Sequence, residues 1–182
     1  MIEIFYPQMV AFISLLWLLV RLFFRLRDKS VDWKREARLL LVYVCIVVVV
    51  RFTFCPFGKV NGQIQPLLFD SEKILPFWLN LTPFVYLFDY PSMKDALVNL
   101  IGNIAMFIPL GIVWPAVFPK LDKPWKVIAA GVGASLCIEI LQLPFFDRVT
   151  DIDDLLLNSL GYLIGYGIFL LVKKGKRKPK VS

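Results

Sequence analysis

Histidine is absent from this chain of 182 residues. Without it, the chain lacks the usual side chain for proton exchange near neutral pH, any Ser-His-Asp or Cys-His nucleophile pair, and the commonest transition-metal ligand. Cysteine is scarce as well: Cys45, Cys55 and Cys137 lie far apart in apolar runs and lack the paired spacing of a zinc or redox motif. We therefore expect these cysteines to pack in an apolar interior or to face lipid.

Charged residues are also scarce within five long apolar runs. Apolar residues make up 58% of the chain and aromatic residues 15%, and the mean hydropathy is +0.69. A helix needs about 20 apolar residues to cross a bilayer. We predict an all-α fold, a polytopic transmembrane helical bundle with spans at about residues 4–24, 37–55, 96–118, 125–146 and 152–172.

Basic residues are sorted between alternate loops of this predicted bundle. Sixteen of the twenty-one lysines and arginines lie in residues 21–38, 119–126 and 173–180. By the positive-inside rule these segments are cytoplasmic, so five spans place the N-terminus outside and the C-terminus in the cytoplasm. The basic excess then indicates orientation and contact with anionic lipid, not nucleic-acid binding. The bilayer is the first predicted partner.

The loop of residues 56–94 is rich in aromatic residues and poor in charge, as in Leu75–Leu79 and Phe84–Phe88. Such a segment is unfavourable in water, so we predict a partly helical outer loop that lies at the membrane interface or folds back over the helices. The predicted organisation is a first helix with a basic loop (1–36), a membrane domain (37–172) and a basic tail (173–182).

Polar residues interrupt the last three predicted spans. Asn99 and Asn103 are four residues apart and share one helix face, and Asp154 and Asn158 have the same spacing. In the predicted topology all the polar groups reach the outer leaflet, and polar groups in a membrane are read first as a functional site. The predicted ligand-binding residues are Asn99, Asn103, Glu139, Gln142, Arg148, Asp151, Asp154 and Asn158.

Several of these residues also have a structural interpretation. Asparagines tie membrane helices together, and Asp151 suits the N-cap of the fifth span as well as it suits a helical stripe with Asp154. Asp153 points elsewhere, toward water or a cap. Glu139 requires a partner if it is buried, and we predict a pairing with Arg51 or Arg148. Gly161 and Gly165 continue the stripe as a small-residue track for close packing against another helix, most simply within the same chain.

The same residues carry a resemblance to a known family. The stretch from Asn99 to Gly111, the run Glu139-Ile140-Leu141-Gln142, Arg148, the run Asp151-Ile152-Asp153-Asp154, Asn158 and Gly161 are similar to the VanZ-like family of bacterial membrane proteins. Asn80-Leu81-Thr82-Pro83-Phe84 is similar to an element that precedes that block. The resemblance covers roughly residues 40–172. It implies a protein of the bacterial cytoplasmic membrane and a link to resistance against teicoplanin, a lipid-tailed glycopeptide that binds cell-wall precursors. It implies no reaction.

Two classes of function are compatible with these residues. In the first, the polar pocket binds a lipid-linked cell-wall precursor or the lipoglycopeptide and lowers susceptibility to the antibiotic. In the second, Glu139, Asp151 and Asp154 form a carboxylate cluster for acid-base catalysis, or for a divalent cation, on a lipid-linked precursor. No other cofactor or metal is predicted. The absence of an activated nucleophile and of a glycine-rich phosphate loop favours binding.

Overall fold

The computed structural model describes residues 1–28, 32–55, 59–60, 63–74, 79–84, 92–146 and 148–176. Within these ranges the chain forms five long helices: α1 Tyr6–Asp28, α2 Trp33–Phe54, α3 Met93–Val117, α4 Pro124–Gln142 and α5 Ile152–Lys176. Each is long and apolar enough to cross a membrane. The predicted all-α fold with five spans is confirmed, and the chain is a multi-pass membrane protein.

Short strands accompany the helices. They are β1 Ile2–Ile4, β2 Lys59–Val60, β3 Gln63–Ile64, β4 Leu67–Phe69, β5 Leu79–Asn80 and β6 Thr150–Asp151. β1 pairs antiparallel with β4, and β2 pairs antiparallel with β3. Because β1 takes up the first residues, α1 begins at Tyr6, two residues later than predicted. α4 ends at Gln142, four residues before the predicted end of the fourth span.

The chain divides into two compact units. Unit one comprises Met1–Asn80 and Ile138–Thr150, and unit two comprises Leu81–Cys137 and Asp151–Ser182. Each unit has its own packing.

In unit one, α1 and α2 form a helical hairpin. Near its middle, the hydroxyl groups of Ser14 and Tyr43 are 2.6 Å apart, and the rings of Trp17 and Tyr43 lie 5.6 Å apart. Nearer the end of α1, Arg21 makes two hydrogen bonds to the carboxylate of Glu36. These polar contacts hold two helices that are otherwise apolar along most of their length.

The other end of unit one has a small apolar core. Phe54, Cys55 and Leu67 are buried there, and Tyr6 and Phe145 pack against them. The loop between α2 and α3 therefore folds back in its described part, as predicted. Its described residues contain short strands and a 3-10 turn at Ser71–Ile74. The aromatic runs at residues 75–78 and 85–88, and the basic tail from residue 177, lie outside the described residues.

In unit two, α3 and α5 approach each other closely through glycines. A Cβ atom on Gly161 would overlap the backbone oxygen of Ile104, and one on Gly165 would overlap that of Ile108. From the other side, a Cβ on Gly111 would overlap the backbone oxygen of Tyr162. The predicted packing of Gly161 and Gly165 within the chain is confirmed.

The three cysteines are free thiols. Cys45 and Cys55 are buried and Cys137 is exposed on the apolar helix α4. This distribution agrees with the predicted roles in packing and lipid contact.

Candidate functional site

The close packing of α3 and α5 brings three predicted site residues together in unit two. The Nδ2 group of Asn103 donates a hydrogen bond to Oδ1 of Asp154 and a longer one, of 3.5 Å, to Oδ1 of Asn99. All three side chains are partly exposed. We call Asn99, Asn103 and Asp154 the amide–carboxylate cluster. The predicted shared face of Asn99 and Asn103 is confirmed.

Asn158 lies one turn farther along α5 and is 1% exposed. Its Nδ2 group donates a hydrogen bond of 3.1 Å to the hydroxyl oxygen of Ser135 on α4, which is fully buried. Its Oδ1 atom has no hydrogen-bond partner among the described residues. Burying an acceptor without a hydrogen bond is energetically costly. A hydrogen bond from a ligand or a water molecule to this oxygen would therefore be favourable. Sequence reasoning missed Ser135, because a serine among small apolar residues carries little signal.

The start of α5 differs from the prediction. Asp151 belongs to β6 and precedes the helix, so it does not share a helical stripe with Asp154 and Asn158. Its Oδ1 atom accepts a hydrogen bond of 2.9 Å from the backbone N–H of Asp153, as a capping residue does. The capping interpretation of Asp151 is therefore confirmed, and its role in ligand binding stays a prediction.

Asp153 also differs from the prediction, because it is 4% exposed and does not point to water. Both of its carboxylate oxygens accept from the backbone N–H of Phe84, at 3.0 and 3.1 Å. Phe84 has a φ of 65°, in the left-handed region that is unfavourable for a large side chain. The buried carboxylate compensates for this strain by holding the N–H in place.

In unit one, two further predicted site residues bind the end of α2. Nε2 of Gln142 donates to the carbonyl oxygen of Thr53 at 2.8 Å, and Nη2 of Arg148 donates to that of Phe54 at 3.0 Å. The last carbonyls of a helix lack partners within the helix, and a cation is favourable there. Gln142 and Arg148 thus close the end of α2. The Oε1 atom of Gln142 has no partner among the described residues.

Glu139 lies on α4 and is 2% exposed, so its side chain is buried within the protein. Its backbone oxygen accepts a hydrogen bond of 2.9 Å from the hydroxyl group of Thr150. Arg51 donates from Nη1 to the carbonyl oxygen of Cys55 at 3.1 Å, and its guanidinium lies 5.5 Å from the ring centre of Tyr6. The predicted pairing of Glu139 with Arg51 or Arg148 stays a prediction.

Lys73 is a residue that sequence reasoning missed. Its ammonium group donates to the carbonyl oxygens of Phe145, at 2.6 Å, of Phe146, at 2.8 Å, and of Arg148. It thereby fixes the segment that carries Arg148. No spacing in the sequence predicts this contact, since more than 70 residues separate the partners.

The chemistry of these groups is that of polar recognition. They supply amide donors and acceptors and carboxylates, which bind hydroxyl, amide and amine groups. In the described part of the chain, no three acidic or cysteine side chains lie together in a way that would hold a metal ion. The divalent cation of the enzyme alternative therefore stays a prediction without a described binding site.

The comparison with known protein families matches the part of the chain that contains α3, α4 and the predicted site residues. The sequence profile of the VanZ/LLP1 family matches residues 40–173. The chain is also similar to Protein VanZ of Enterococcus faecium, with 31% identity over 104 residues that cover 57% of this chain and 60% of that relative. The chain thus matches less than two thirds of the length of this curated relative. No solved structure matches it. The family match includes α3, α4 and nearly all of α5, together with every predicted site residue, and the chain belongs to the VanZ/LLP1 family.

Proposed function

We propose that this protein lowers the susceptibility of a bacterium to teicoplanin-type lipoglycopeptides. In this proposal it lies in the cytoplasmic membrane and binds a lipid-anchored envelope molecule, either a cell-wall precursor or the antibiotic with its acyl chain. The family and the similarity to Protein VanZ support the membrane setting and the link to resistance. The binding step is proposed from the polar residues.

The observation that carries the proposal is the amide–carboxylate cluster with the unpaired amide oxygen of Asn158 nearby on α5. Asp154 and Asn103 are joined by a hydrogen bond and both stay partly exposed, so a ligand can reach these two side chains. Oδ1 of Asn158 is a buried acceptor without a partner among the described residues. Peptide and sugar groups carry the N–H and O–H donors that such acceptors bind. The apolar surroundings suit the lipid part of the same molecule.

Glu139 is proposed as a second determinant, in unit one. A carboxylate that is 2% exposed in a membrane helix is energetically costly, and such residues are usually retained for function. If it acts as an acid or base on a lipid-linked precursor, the protein is an enzyme, which is the alternative function. The hydrogen bonds of Gln142 and Arg148 to backbone carbonyls favour a supporting role for those two residues.

A direct binding experiment tests this proposal. The purified chain in detergent is titrated with a fluorescent lipid-tailed glycopeptide and, separately, with a lipid-linked cell-wall precursor. We expect saturable binding of at least one of them, weakened about tenfold by Asp154→Asn, which removes one charged acceptor. The matched control is Asp95→Asn, which makes the same change at an exposed position on the first turn of α3.

Two outcomes contradict the binding function. One is the absence of saturable binding for both probes, and the other is an equal loss in Asp154→Asn and Asp95→Asn. A change in the mass of the precursor after incubation with the native chain, absent with Glu139→Gln, would replace binding with the enzyme alternative.

A further inference from the structure

A cavity of about 440 Å³ lies between the last turns of α1 and the start of α2. None of the predicted site residues lines it, and its lining residues all precede residue 40, where the family match begins. It is lined by apolar residues such as Leu18, Leu22 and Trp33 and by charged residues. The cavity is thus separate from the proposed function.

The position of the cavity is that of a lipid headgroup. α1 and α2 are both long enough to span the membrane, so the end of α1 and the start of α2 lie at a membrane boundary, whichever side that boundary faces. Trp33, at the first residue of α2, is 75% exposed, as tryptophans are at the level of lipid headgroups. Leu18 and Leu22, 64% and 52% exposed, continue the apolar surface from the cavity along α1.

The charges that line the cavity are largely paired with each other. Arg21 is bound to Glu36 through two hydrogen bonds, and Arg35 lies 3.6 Å from Asp28. These four side chains are therefore compensated, and they form the wall of the cavity without giving it a net charge.

Two charged residues remain among the described residues that line the cavity. Arg25 makes no hydrogen bond or ion pair with any residue in the described part of the chain, so its guanidinium is available for a phosphate. Asp32 is the N-cap of α2: its Oδ1 atom accepts from the backbone N–H groups of Lys34 and Arg35, which leaves Oδ2 for another donor. The cavity thus offers one cation and one carboxylate oxygen, the complement of a zwitterion.

We propose that this cavity binds the headgroup of a zwitterionic aminophospholipid of the phosphatidylethanolamine type. The phosphate is bound by Arg25 and the ammonium group by Asp32, and the acyl chains lie on the exposed leucines of α1. An anionic lipid such as phosphatidylglycerol would satisfy Arg25 but would offer Asp32 only neutral hydroxyl donors, which bind a carboxylate more weakly than an ammonium group does. The site gives the part of the first helical hairpin that precedes the family match a lipid-binding role of its own.

Lipid binding by the purified full chain tests this inference. Native mass spectrometry measures the retention of phosphatidylethanolamine, phosphatidylcholine and phosphatidylglycerol with identical acyl chains. We expect the native chain to prefer phosphatidylethanolamine by about tenfold over phosphatidylglycerol. Arg25→Gln should weaken the binding of all three lipids. Asp32→Asn keeps a good N-cap residue and should remove only the preference for phosphatidylethanolamine.

The matched control is Arg27→Gln, an exposed arginine two residues farther along α1 that does not line the cavity. Equal losses of lipid binding in Arg25→Gln and Arg27→Gln would contradict the proposed binding site. A native preference for phosphatidylglycerol, unchanged by Asp32→Asn, would overturn the zwitterionic ligand. Glycerophosphoethanolamine has the same headgroup but no acyl chains. If it binds as tightly as phosphatidylethanolamine, the ligand is a soluble molecule, and the proposed lipid binding is contradicted.

Discussion

Single residues in this protein combine structural and proposed functional roles, and the structure separates some of these roles. Gln142 and Arg148 donate to the last carbonyls of α2, and Asp151 caps α5. Asp154, Asn103 and Asn158 instead bind side chains, which a ligand can replace or extend. The amide–carboxylate cluster is therefore the better candidate for recognition.

Substitution of Lys73 tests a structural role at the residue scale. Lys73→Met removes three hydrogen bonds to backbone carbonyls while it keeps an unbranched side chain of nearly the same length. We expect the free energy of unfolding to fall by about 2 kcal/mol, because each of those carbonyls loses a charged donor. Thermal unfolding in detergent measures the change. Lys94→Met, at an exposed lysine of α3, is the control and should change the stability little.

A result in which both lysine variants unfold alike would contradict the fixing of residues 145–148 by Lys73. The contact between the Lys73 ammonium group and these backbone carbonyls was not predictable from the sequence. Lysine in a loop usually reaches water, and only the folded chain brings it to three carbonyl groups.

The helices could be predicted from the sequence, whereas their ends could not. Apolar length determines a membrane helix, so five spans followed from hydropathy alone. The start of α1 depends on the pairing of β1 with β4, more than 60 residues away. The start of α5 depends on Asp151, which caps the helix from β6, and on this account the predicted stripe from Asp151 was wrong.

Glycine substitutions test the packing of α3 against α5 at the element scale. Gly165→Ala places a Cβ atom against the backbone oxygen of Ile108, and backbone cannot move aside as a flexible side chain can. We expect a loss of about 3 kcal/mol in the free energy of unfolding and poor accumulation in the membrane. Thermal unfolding of the purified variant measures the loss.

Gly167→Ala is the matched control on the same helix, since a Cβ atom there meets no atom within 4 Å. It should be neutral or slightly stabilising, because alanine favours a helix more than glycine does. Equal stability of the two variants would show that α3 and α5 do not pack through Gly165.

At the scale of the whole molecule, the orientation of the chain in the membrane is still a prediction from the distribution of basic residues. Single cysteines at Ser71 and Lys123, in a chain whose native cysteines are replaced with alanine, report it. Both positions are exposed in the structure and lie outside the spanning helices. We expect a membrane-impermeant thiol reagent to label Ser71→Cys in intact cells and Lys123→Cys only after permeabilisation. The reverse pattern would contradict the orientation and the outer-leaflet site.

The site as a whole was predictable in its chemistry and only partly in its contacts. Polar residues in apolar helices identified Asn103, Asp154 and Asn158, because such groups are rare in a membrane without a reason. The sequence did not reveal Ser135, whose hydroxyl oxygen accepts from Asn158, or the carbonyl groups of Thr53 and Phe54. Backbone acceptors are the same for every residue type, so no sequence pattern identifies them.

The most direct test of the central claim is the teicoplanin susceptibility of a sensitive Gram-positive host that produces the native chain, Asp154→Asn, Glu139→Gln or the control Asp95→Asn at equal membrane levels. We expect protection by the native chain and by Asp95→Asn, with loss of protection in Asp154→Asn and Glu139→Gln. No protection by the native chain, or full protection by both variants of the proposed site, would contradict the central claim.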